Sequence, residues 1–173
     1  MESGESGAAG GPAPVSMTVF RYNYEMSAHI EEGIRTRLAD ARLLWLAGRK
    51  ESAFLLALVA LAARSRLERP NASGDRDAFE SYLRSTHPWA IQVEYRGKLF
   101  TTDQLLYKWM RCELVHTSRL PIDLVIDETF ASDDLAVRAG GAPEYLLKMS
   151  PAWFEYICSA AECGSQTYNG SPG

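Results

Sequence analysis

The chain has 173 residues, 46% of them apolar and 23% charged, a composition that suits one soluble globular domain with a sizeable core. Its formal net charge of −4 excludes a general basic footprint, so any contact with nucleic acid has to come from a local patch. Cys112, Cys158 and Cys163 form no CxxC pair and are too few for a disulfide framework, which points to a reducing cytoplasm. The scattered His29, His87 and His116 build neither HExxH nor a Cys/His cluster, so no metal or cofactor is expected.

Residues 1–16 are Gly, Ser, Ala and Pro with acidic residues, unable to bury enough apolar surface to order themselves, and read as a tail. They lack the basic and apolar regions of a secretory signal. From His29 to Ala47, Ile30, Ile34, Leu38, Ala41 and Trp45 recur at helical spacing and predict an amphipathic first helix. After the break at Gly48-Arg49-Lys50, Glu51 to Arg69 is apolar nearly all round, as suits a helix in the middle of a bundle, antiparallel to the first. Its apolar run, Ala53 to Ala63, is about half the roughly 20 residues that cross a bilayer, so no membrane partner is expected. A short helix is predicted over Asp75 to Ser85, ended by His87-Pro88, and a hairpin or extended stretch over Ile91 to Phe100, around Arg96-Gly97.

A central helix is predicted to begin at Thr101-Thr102-Asp103-Gln104, where threonine and the glutamine three places on match a capping box, and to run to about Ser118. At about 100° per residue, Leu105, Trp109, Cys112 and His116 share one stripe, Leu106, Met110 and Leu114 a second, and Lys108, Arg111 and Val115 a third, leaving little of this helix free for water. Three short strands follow, at Leu124 to Asp127, Leu135 to Arg138 and Tyr145 to Lys148, separated by Ser132-Asp133-Asp134 and Gly140-Gly141-Ala142-Pro143. Pro151 opens a last helix reaching Glu162. The expected fold is mainly α: a helical bundle spanning 17–163 with a small antiparallel β meander inserted at about 122–149, and a flexible tail at 164–173.

Arg111 and His116 are the best lead to chemistry. Arginine is a permanently charged, fork-shaped phosphate ligand, and histidine exchanges protons near neutral pH. The stretch Leu106-Tyr107-Lys108-Trp109-Met110-Arg111-Cys112-Glu113-Leu114-Val115-His116 resembles the signature of the HEPN family, an arginine and a histidine four to six residues apart, late in a helical bundle. The resemblance covers roughly His29 to Ser118. It implies a cytoplasmic, homodimeric, metal-independent endoribonuclease of toxin, phage-defence or stress type. RNA is its implied substrate, 2′,3′-cyclic phosphates its products, and an antitoxin or other protein a possible partner.

In that chemistry the ribose 2′-hydroxyl attacks the adjacent phosphorus, His116 serves as general base or acid, and Arg111 binds the non-bridging oxygens. Lys108 and Glu113 are candidates for contact with the substrate. Five residues apart on an ideal helix is an offset of about 140°, so Arg111 and His116 require a local distortion or a pairing across two chains. The chain departs from the family pattern at Cys112, where RNA-cutting members commonly carry Asn, Asp or His, and at Thr117-Ser118, where one branch carries a modified tyrosine.

Other accounts of the same residues stand beside this one. His116 suits a helix carboxyl end without any catalysis. Arg111 could lie along Trp109, Glu113 and Lys108 could simply face water, and Cys112 could be a small packed hydrophobe. The arginines of the first helical pair, from Arg35 to Arg69, suggest either an RNA groove or a charge-solvated face. The alternative function is a non-catalytic HEPN-like module for dimerisation or for binding a nucleotide or protein partner.

Overall fold

A computed structural model describes residues 16–87, 90–130, 134–140 and 146–164, with side chains from Tyr24 onward. The predicted tails at 1–15 and 165–173, and most of the two Ser/Asp and Gly/Pro turns between the late strands, lie outside the described residues. Ser16, which the sequence places in the tail, is already helical: α1 spans Ser16–Leu46 and starts more than three turns before His29. Thr18, Val19, Asn23 and the aromatic residues there are indifferent helix formers, which is why the pattern does not announce this part.

The carboxyl end of α1 is closed by a Schellman motif. Gly48 takes φ +73°, its N–H donates to the Trp45 carbonyl at 3.0 Å, and the Arg49 N–H reaches back to Leu44 at 2.9 Å. The left-handed residue turns the chain so that α2, Lys50–Glu68, returns antiparallel along α1. Nearly apolar all round, α2 buries Ala53, Phe54, Ala57, Leu58, Ala60 and Leu61 and occupies the middle of the bundle, packed by α1 and by the two helices described next. Helix α3 is Asp75–Ser85 and α6 is Ala152–Glu162, with Pro151 before its first turn, both as expected. Trp45 of α1 stacks on Phe154 of α6 with ring centroids 4.3 Å apart, and Phe54 meets both rings edge-on at 5.7 Å.

One polar knot lies inside this core. The Arg64 side chain of α2 donates from Nε to the Ala161 carbonyl at 2.9 Å, from Nη2 to Glu31 Oε2 at 2.5 Å and from Nη1 to the other Glu31 oxygen. Glu68 stands 3.8 Å away. The Tyr82 hydroxyl donates to the Ala160 carbonyl at 2.6 Å. Arg64 and Tyr82 thereby satisfy two of the last carbonyls of α6, where the helix dipole favours a cation.

The predicted hairpin forms from β1, Gln92–Tyr95, and β2, Lys98–Thr101, paired antiparallel with Tyr95 opposite Lys98. Its two turn residues, Arg96 and Gly97, both have positive φ, 52° and 71°, as a two-residue turn matched to strand twist requires.

The later strands depart from the expected antiparallel meander. β3, Leu124–Ile126, β4, Val137–Ala139, and β5, Leu147–Met149, form a mixed sheet in the order β3-β5-β4, with β3 parallel and β4 antiparallel to β5. Burial explains the order. Leu147 and Met149 of β5 are buried, so the last strand takes the centre, while Val125, Arg138 and Ala139 leave β3 and β4 at the edges.

Candidate functional site

The predicted central helix follows β2 directly and comes in three pieces: α4, Thr102–Leu105, a π-helical segment, Leu106–Cys112, and α5, Glu113–Thr117. The Thr101 N–H donates to Gln104 Oε1 at 3.2 Å, one half of the expected capping box. Asp103, buried in the first turn, accepts from Arg84 of α3 at 3.1 Å. Ser118, left-handed at φ 61°, ends α5 and donates its N–H to Leu114.

The π segment changes the faces computed for an ideal α-helix. In a wide turn, residues five apart stack, because the hydrogen bonds run from i to i+5. Leu105 and Met110 therefore share the core side, and Leu114 follows at α-helical spacing. Arg111 follows Tyr107 by four residues in the same segment. The side chain is half-buried and its Nε is buried without a hydrogen bond. Its guanidinium lies 5.3 Å from the Tyr107 ring, not along Trp109. No carboxylate pairs with it among the described residues.

Tyr107 packs on Phe79 of α3, with ring centroids 5.4 Å apart. Burial holds the Tyr107 phenol above its ordinary range, opposed by the Arg111 and Arg76 cations. Arg76 is itself engaged by Glu80 at 2.6 Å.

Contrary to the expectation that little of this helix is free, Lys108 within the π segment and Val115, His116 and Thr117 beyond it are exposed to water. The exposed imidazole of His116 sits in the last turn of α5, at the negative end of the helix. No hydrogen bond joins it to Arg111 within the chain. The wide turn ends at Cys112, so the step from Arg111 to His116 is mostly α-helical and the two side chains still diverge. Glu113 and Cys112 are half-buried, Cys112 without the full burial that its stripe suggested. The ammonium of Lys108 rests 4.7 Å from the Trp109 ring and 5.6 Å from Phe100.

The arginines of the first helical pair build no groove toward this site. Arg35 pairs with Glu32, Arg37 with Asp40, Arg42 with Glu162, Arg64 with Glu31, Arg66 with Asp75 and Lys50 with Glu128. A charge-neutralised helical face is the account that holds for these, whereas Arg49 and Arg69 have no carboxylate partner among the described residues.

The hairpin turn stands where the sequence places it, but the sequence does not reveal the ionic clamp it carries. Arg96 clamps Asp123 with two bonds of 2.7 Å, and the Tyr95 hydroxyl donates to the same carboxylate at 2.5 Å. The Arg96 guanidinium drives the Asp123 carboxyl down to about 2. The only available signal was an arginine at a turn position where glycine or asparagine is easier. A cleft of about 510 Å³ opens beside this clamp, lined by Glu94, Tyr95, Arg96, Asp123 and Leu147 among others, and none of the predicted site residues lines it. No group of three His, Cys, Asp or Glu suited to a metal ion exists among the described residues. No helix among them is long and apolar enough to cross a membrane. Comparison with protein-family models, with curated proteins and with solved structures gives no match.

Proposed function

We propose that this chain is a HEPN-like, metal-independent endoribonuclease that works as a homodimer. The observation that carries this reading is the state of Arg111. It is a cation preorganised on the Tyr107 ring with no carboxylate partner among the described residues, five positions before an exposed imidazole on the same helix. A half-buried arginine held on a ring without a carboxylate suits an oxyanion. The divergence of Arg111 and His116 within one chain directs the chemistry to a twofold pairing of these helices, with Arg111 of one protomer beside His116 of the other.

The 2′-oxygen forms a bond to phosphorus as one imidazole accepts the hydroxyl proton. The bond from phosphorus to the 5′-oxygen breaks, and the protonated second imidazole supplies a proton to that leaving oxygen. Arg111 stabilises the charge that builds on the non-bridging oxygens. A 2′,3′-cyclic phosphate and a 5′-hydroxyl result.

A second reading is favoured by the burial of Arg111 Nε, which leaves only the terminal nitrogens to a ligand: a non-catalytic dimerisation or nucleotide- or partner-binding module. Incubation of a mixed RNA pool with the purified protein in EDTA decides between them. The expected outcome is cleavage leaving cyclic phosphate ends, lost in folded dimers of His116→Ala and Arg111→Ala. Activity equal to that of the variants rejects the nuclease and leaves the binding module. Ultracentrifugation showing a monomer at assay concentration rejects the twofold site.

A further inference from the structure

The β1–β2 hairpin and the π segment meet at Trp109 in a way that neither the fold nor Arg111 and His116 require. Tyr95 and Phe100 touch the Trp109 ring edge-on at 5.3 and 6.1 Å. Two cations lie against the same indole: Arg96 at 4.5 Å, from the hairpin turn, and Lys108 at 4.7 Å, from the π segment itself. The pleat adds a third. Lys98 is two residues before Phe100 on β2 and stands opposite Tyr95, so it belongs to the strand face that carries both rings toward Trp109.

Two cations against one indole, with Lys98 on the neighbouring strand face, repel one another, and the described chain offsets them only in part. Asp123 neutralises Arg96, whereas Lys98 and Lys108 have no acidic partner among the described residues. In a chain of net charge −4 such a local surplus is informative. Arg96 also occupies left-handed backbone, which disfavours an ordinary side chain and which glycine would adopt freely. The position keeps an arginine whose side chain is stretched over Trp109 and Tyr95.

We infer that Lys98 and Lys108, braced by Arg96 on Trp109, form a cationic shelf that binds the phosphate backbone of single-stranded RNA and leads it toward Arg111. Lys108 and Arg111 belong to the same π segment, three residues apart, so the shelf adjoins the turn that carries the arginine. Because the indole is already covered by cations, the contact is to phosphates and not by base stacking. It is therefore indifferent to sequence and sensitive to salt. The inference rests on the ribonuclease reading of Arg111 and His116 and gives that reading its substrate track.

The test is fluorescence anisotropy of a short, labelled, mixed-sequence single-stranded RNA. It is titrated with His116→Ala protein so that the RNA stays whole, at salt from about 50 to 200 mM. Lys98→Ala/Lys108→Ala in the same background is expected to bind about tenfold more weakly, with a salt slope smaller by about 1.4, corresponding to two lost phosphate contacts. Lys98→Arg/Lys108→Arg is expected to restore binding, which a merely structural role for the two stems would not explain. All proteins are checked for folding by circular dichroism.

Unchanged affinity and slope in the alanine pair overturn the shelf, and if the unaltered protein then still cleaves RNA the ribonuclease reading survives without it. Binding through the lysines with no cleavage by the unaltered protein establishes the shelf and rejects the nuclease. Absence of both binding and cleavage overturns the two together.

Discussion

Replacing Arg64 by methionine tests the polar knot between α1, α2 and α6. The arginine is 6% exposed and holds both oxygens of Glu31, with Glu68 close by and the Ala161 carbonyl on its Nε. Methionine fills much of the aliphatic volume but strands the Glu31 carboxylate and one helix-terminal carbonyl. Breaking a buried pair from one side costs about 3–5 kcal/mol, and the orphaned carbonyl adds about 1 kcal/mol. Glu31 keeps a 35% exposed side chain and regains water, which brings the expected loss to about 3 kcal/mol at neutral pH. Urea denaturation followed by circular dichroism should show a lower midpoint with an unchanged slope, and the melting temperature should fall by about 6–12 °C.

The loss carries a pH signature. The Arg64 hydrogen bond holds the Glu31 carboxyl below its ordinary value of 4.5. A depressed carboxyl contributes stability that is present above the unfolded value and lost as pH falls through the folded one. The gap between parent and Arg64→Met should therefore shrink below about pH 4.5, and Arg64→Met/Glu31→Gln should recover part of the loss at neutral pH. A loss under about 1 kcal/mol, or a gap that persists unchanged in acid, refutes the reasoning.

Three further outcomes follow from named contacts. Asp123→Asn should destabilise by about 1–2 kcal/mol at pH 7, after discounting for its partly exposed flank. The difference should fade as pH drops from the ordinary 3.8 through about 2, because the stability conferred by the depressed carboxyl is lost in that window. Acid titration of the unfolding midpoint measures this. Phe54→Ala, at a fully buried ring wedged between Trp45 and Phe154, should cost about 3–5 kcal/mol in the same denaturation assay. With a thiol reagent at about pH 8, exposed Cys163 should react fast. Cys158, whose thiol burial pushes up to about 12, should react only at the rate of unfolding.

The helices were legible because each carries its own periodicity. The all-round apolar run of α2 could only be a central helix, and its burial among α1, α3 and α6 follows from that pattern. Asp75–Ser85 and the proline-led α6 were equally plain, as was the Arg96-Gly97 hairpin. The missing turns of α1 show the opposite case. Its first residues have weak local preference, and the six residues from Tyr24 to His29 are all exposed, so no core stripe marks them.

Local pattern determined which stretches are helix or strand, where the core faces lie, and that Arg111 and His116 share one helix. Tertiary structure decided the rest, because each remaining feature depends on competition for partners distant in the chain. The mixed sheet arises because β5, last in sequence, has the most buried side chains and takes the centre. The π segment brings Leu105 and Met110 together in the core, a pairing that a fixed 100° per residue does not anticipate. Which cations meet carboxylates was likewise settled by packing: Arg64 meets Glu31 only because α2 returns along α1, and Lys108 meets Phe100 only because the hairpin folds back on the helix that follows it.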